Sequence, residues 1–106
     1  MYQAITTRYF GPGNVRGSRV KATSGGGLSI TLHWDDAFDS TQNHAKAAQA
    51  LATKYNWSGL WMGGAIQSGY AFVNVPEAWI DDRENAKDQA RDIRNGDAFD
   101  VPKVTR

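Results

Sequence analysis

Leu28-Ser29-Ile30-Thr31-Leu32-His33-Trp34 is the cleanest alternation in the chain. Successive side chains of a strand point to opposite sides, so Leu28, Ile30, Leu32 and Trp34 share one face and Ser29, Thr31 and His33 the other. Just upstream, Ser24-Gly25-Gly26-Gly27 supplies the positive-φ residues of a tight hairpin. The arm before it, residues 15–23, alternates in its second half: Val20 and Ala22 face in, while Arg19, Lys21 and Thr23 face out. Gly11-Pro12-Gly13-Asn14 breaks the chain again, and residues 2–10 before it are rich in β-branched and aromatic types. The expectation is three antiparallel strands.

Downstream, Asp35, Asp36, Asp39 and Ser40 offer helix caps. Residues 41–56 then carry a helical stripe of His44, Ala48, Leu51 and Tyr55, supported by Ala45, Ala47 and Ala52. Residues 58–66 and 69–75 read as a second hairpin, with Gly63-Gly64 marking a bulge or a close backbone approach. After Pro76, residues 77–95 hold ten charges on a thin stripe of Trp79, Ala86, Ala90 and Ile93, with Ile80 beside it, and Asn95-Gly96 is a helix stop. Residues 97–106 read either as a short strand through Phe99 and Val101 or as a mobile tail. The expected fold is α+β: a mainly antiparallel five-stranded sheet (β-β-β-α-β-β), one packed alanine-rich helix and an added charged C-terminal helix. The alternative is a ferredoxin-like arrangement with an extra N-terminal hairpin.

A length of 106 residues predicts one domain, with 1–75 as the sheet-plus-helix core and 76–106 as a charged extension. The absence of cysteine excludes disulfides, thiolate metal sites and thiol nucleophiles. No apolar run approaches the ~18 residues of a membrane helix, and no charged-then-apolar leader opens the chain, so the expectation is a cytoplasmic protein with no membrane partner. The net charge of +1 conceals a division. Residues 1–34 hold Arg8, Arg16, Arg19 and Lys21 with no acid, whereas residues 75–106 hold eight acids and six bases. A weak net charge therefore leaves room for a basic sheet region and an acidic tail.

His33, Asp35 and Asp36 can supply two metal ligands or an acid/base pair, but no third ligand is implied by the spacing. A metal-dependent nuclease-like enzyme is thus the weakest of three functional readings, and neither a metal nor a cofactor is expected. His44, on the apolar stripe, reads as a hydrogen-bonded core histidine. The glycine-rich stretch from Gly11 to Arg19 lacks the lysine of a phosphate loop and is followed by a strand, so it reads as a hairpin loop whose Arg16 and Arg19 can meet an anion.

Ser68-Gly69-Tyr70-Ala71-Phe72-Val73-Asn74-Val75 resembles the RNP1 strand of RNA-recognition domains. It departs from that pattern at Ser68, where the family has a base, and at Val75, where it has an aromatic. The resemblance implies that Tyr70 and Phe72 stack on bases, with Arg16, Arg19 and Lys21 supplying charge, in a module for single-stranded nucleic acid. The alternative for the same residues is core packing. The tryptophans pose a parallel question: Trp34 reads as core, while Trp61 and Trp79 are either core or anchors of a protein interface.

Across residues 1–75 the chain also resembles small accessory proteins of bacteriophages and integrative elements. The likeness rests on Met1-Tyr2-Gln3-Ala4-Ile5-Thr6-Thr7, Gly11-Pro12, Arg16-Gly17-Ser18-Arg19, His33-Trp34-Asp35, Asn43-His44, Trp57-Ser58-Gly59, Gly63-Gly64 and Ser68-Gly69-Tyr70. What it implies is context: a non-enzymatic inhibitor of host defence, of the anti-CRISPR kind, that docks on a bacterial defence protein or nucleoprotein. Trp61, Trp79, Arg83 and Asp88 are the expected docking residues.

Overall fold

The computed structural model describes residues 4–13 and 17–103. Each region of alternation forms a strand: β1 (Ala4–Phe10), β2 (Arg19–Ser24), β3 (Ser29–His33), β4 (Gly59–Ile66) and β5 (Gly69–Val75). A sixth strand, β6 (Gly96–Val101), corrects the five-strand expectation. All six join one antiparallel sheet in the order β3-β2-β1-β5-β4-β6. The ferredoxin-like alternative also fails, because β5 pairs with β1 and not with β3.

Helix α1 (Ser40–Lys54) follows β3. Its start is held by a capping box: Asp39 Oδ1 accepts from the Gln42 backbone N–H at 2.8 Å, and Gln42 Oε1 accepts from the Asp39 backbone N–H at 3.1 Å. Asn43 is buried and ties the preceding loop down, donating through Nδ2 to the carbonyls of Asp35, Phe38 and Asp39. The small side chains of Ala47, Ala48 and Ala52 let α1 lie close on the sheet, and Leu51 fills the space between.

Under α1 runs a chain of aromatic contacts. Tyr70, Phe72, Phe99 and Trp61 follow one another with ring centroids 6.4, 5.7 and 6.2 Å apart. Trp57 and Tyr55 continue it toward the end of the helix. β6 thus places Phe99 and Val101 in the same core as Ile5 and Val20.

The charged segment after Pro76 differs from a single helix over 77–95. It is a 3-10 turn, Glu77–Trp79, followed by α2 (Arg83–Asp92), which Asp82 caps by accepting from the Asn85 backbone N–H. Only Ala90 of the expected stripe is buried, whereas Trp79 and Ile93 are exposed. α2 covers the other face of the sheet at the β4–β6 end, over Leu60 and Ala98. A charge cluster holds it there: Asp100 accepts from Arg83 Nη1 at 2.7 Å and from Lys87 Nζ at 2.6 Å. Burial pushes the Asp100 carboxyl up, but these two charge-assisted hydrogen bonds outweigh it and hold the group below its ordinary range.

Candidate functional site

One helix covers one face of the sheet, while α2 covers only the β4–β6 end of the other. The second face of β1–β2–β3 is therefore uncovered. Residues two apart on each strand line it: Thr6, Arg8 and Phe10 on β1; Arg19, Lys21 and Thr23 on β2; Ser29, Thr31 and His33 on β3. Strand register arranges them in rows, Phe10–Arg19–His33, then Arg8–Lys21–Thr31, then Thr6–Thr23–Ser29. Among the described residues of these strands there is no acid on this face.

The chemistry of the middle rows is specific. Arg8 stands directly opposite Lys21. The guanidinium of Arg8 lies 5.4 Å from the Phe10 ring centroid and that of Arg19 lies 5.3 Å from it. Phe10 thus has two planar cations within cation–π range of its ring. Like charges directly opposite on a sheet are unfavourable, by roughly 0.2–1 kcal/mol per pair. On this face the two like charges stand together with no acid between them among the described residues.

Arg19 and Lys21 hold the place expected of them on this surface, whereas Arg16 lies outside the described residues. Arg8 and Phe10 were missed, although the β1 alternation of buried Ile5 and Thr7 with exposed Thr6 and Arg8 carries their facing. Tyr70 and Phe72 require a correction. Both point to the α1 face: Phe72 is fully buried, and the Tyr70 hydroxyl is hydrogen-bonded to Thr41 Oγ1 at 2.8 Å. Neither offers a ring to a base. Trp61 is corrected in the same way, since it is fully buried and its Nε1–H donates to the Trp57 carbonyl at 2.9 Å. Arg83 is half-buried and paired with Glu77 and Asp100, which ties α2 to the 3-10 turn and to β6. Trp79 and Asp88 are exposed.

His33 is exposed on the basic face, while Asp35 turns its carboxylate to the backbone N–H of Ala37. Among the described residues no three His, Asp or Glu side chains gather as a metal-holding group. No helix among them is long and apolar enough to cross a membrane.

A groove of about 830 Å³ runs beside β6 between α1 and α2. Side chains occupy the edge of β6 there. Asp97 Oδ1 accepts from the Ala98 N–H at 2.7 Å, and Arg91 Nη2 donates to the Ala98 carbonyl at 3.0 Å. An edge satisfied in this way is protected against pairing with another strand.

His44, on α1, is a buried titratable group. Its Nδ1 is hydrogen-bonded to Thr7 Oγ1 at 2.7 Å, and its ring lies 4.4 Å from that of Tyr70. Burial lowers its pKa from 6.5 to about 4. A histidine neutral in the fold and free to protonate when unfolded leaves stability at its full value above pH 6.5 and withdraws it as pH falls toward 4. The loss is expected to total ~3 kcal/mol. Urea titrations across that window check this: His44→Gln removes the slope, while the wild-type chain shows it. The Asp100 cluster acts lower, as its contribution is lost only when pH falls through a value below the ordinary 3.8.

No protein-family model matches the chain, and neither a curated protein nor a solved structure matches it.

Proposed function

We propose that this chain is a non-enzymatic binding protein that holds the phosphate backbone of a nucleic acid, alone or within a nucleoprotein, on the uncovered face of β1–β2–β3. The observation that carries the reading is the acid-free face on which Arg8 opposes Lys21 and Arg8 and Arg19 flank Phe10. Contacts of this kind position a protein on a backbone and carry little sequence information. Base stacking by Tyr70 and Phe72 has no part in it, since α1 covers both. The resemblance to accessory proteins of mobile elements supports placing the role in the inhibition of a host defence nucleoprotein.

Fluorescence anisotropy with labelled single strands and duplexes tests the proposal. Three cations on phosphates give a log–log salt slope of about −2 for single strands and about −3 for duplexes, so affinity falls roughly twenty- to forty-fold from about 50 to 200 mM salt. Arg8→Glu, Arg19→Glu and Lys21→Glu together abolish binding. Lys21→Glu alone pairs with Arg8 and is expected to raise stability by ~0.5 kcal/mol while it weakens binding. That opposition of effects separates a binding face from a merely solvated one. Absence of any binding at low salt, or affinity unmoved by charge reversal, would sink the reading.

A further inference from the structure

The α2 end of the same side of the sheet is charged the other way. Pro76 turns the chain out of β5, and the 3-10 turn that follows leaves Trp79 78% exposed. Trp79 stands at the lip of a cavity of about 240 Å³ whose floor includes Met62, Val75 and Ile80. Asp81 and Asp82, both exposed, stand at its rim. The nearby cations are engaged elsewhere: Arg83 by Glu77 and Asp100, Lys87 by Glu84 and Asp100.

We propose that this corner is a second docking site, for a basic segment of a partner protein. An aliphatic side chain of the segment enters the cavity over Met62 and Val75. A neighbouring arginine or lysine lies on the Trp79 indole within reach of Asp81. Charge complementarity selects this occupant. The indole face attracts cations, the rim is anionic, and an acidic or purely apolar segment gains nothing from either. Tryptophan is also enriched among the anchors of protein interfaces. Proteins that hold nucleic acid are themselves basic, so a nucleoprotein offers phosphate to one end of this side and a cationic protein surface to the other. The site stands on Trp79 and its cavity, and does not depend on the basic face.

The test uses the full chain and a fluorescein-labelled peptide of alternating leucine and arginine. Saturable binding is expected, weakened about tenfold or more by Trp79→Ala and several-fold by Asp81→Lys. Replacing the peptide's leucines by serine, or its arginines by glutamate, should remove binding. Both variants are at exposed positions, and an unchanged urea midpoint confirms that they fold. Lys21→Glu must leave peptide binding unweakened, which keeps this result apart from the oligonucleotide experiment. The proposal is overturned if the wild-type chain does not bind the peptide or if Trp79→Ala binds it equally. It is also overturned if the glutamate peptide competes equally, or if the chain instead self-associates through Trp79.

Discussion

Trp61→Ala is expected to destabilise the chain by ~4 kcal/mol, whereas Trp79→Ala changes stability by no more than ~0.5 kcal/mol. The sequence leaves each of the two as core or anchor, and their surroundings separate them. The Trp61 ring stacks on Phe99 at an interplanar angle of 8° and is closed over by the core. Its truncation leaves a cavity that β4 cannot collapse into, because β4 is paired on both sides, to β5 and to β6. It also leaves the Trp57 carbonyl without the indole donor. Trp79 is 78% exposed, so its truncation removes little packing. Urea unfolding of the two variants decides the matter. A Trp61→Ala loss below ~1 kcal/mol would show that the indole is not the keystone between the two ends of the core.

Alternation says which residues share a face, not which face a helix will cover. That is why Leu28–Trp34 and residues 41–56 were legible as elements, while Tyr70 and Phe72 were read with two destinations. The choice was made at long range, by α1 settling on the side that carries Phe72, Trp61 and Ile5. β6 was obscure for a different reason. In Gly96–Val101 both faces are covered, so Ala98 and Phe99 are buried one after the other and no period of two survives. Asp100 adds to the disguise, since an acid in a strand looks like loop until Arg83 and Lys87 arrive from α2 to neutralise it. The basic face was half legible: Arg19 and Lys21 declared their outward parity, but Arg8 and Phe10 join them only through the β1–β2 register.

The two proposed binding surfaces follow from one asymmetry. α1 is long enough to cover its face of the sheet, whereas α2 has ten residues and spans only the β4–β6 end. The uncovered remainder includes β1–β2–β3, made of residues from the acid-free N-terminal third, and reaches Val73 of β5. The covering helix comes from the acid-rich last third. The charge division along the chain thus becomes a division across one side of the molecule, basic at the open end and acidic around Trp79.

Gly63→Ala is expected to cost ~3 kcal/mol or more, as much as emptying a core position, for the addition of a single methyl. A Cβ at Gly63 would lie 1.9 Å from the Ala71 carbonyl oxygen and 2.7 Å from the Phe72 Cα. Real contacts never come so close, so backbone must move, and here it has nowhere to go. Gly63 pairs with Phe72 on one side and Asp97 on the other, so a shift of β4 disturbs both ladders and the aromatic chain beneath α1. The register runs unbroken from Leu60 through Ile66, which selects the close approach over the bulge as the reason for this glycine. Gly25→Ala is the control. A Cβ there meets nothing within 4 Å, and its effect is expected to be neutral or stabilising by up to ~1 kcal/mol through the unfolded chain. Thermal and urea unfolding of both variants measure the contrast. If Gly63→Ala unfolds like the wild type, the strands β4 and β5 do not approach each other as closely as the ladder requires.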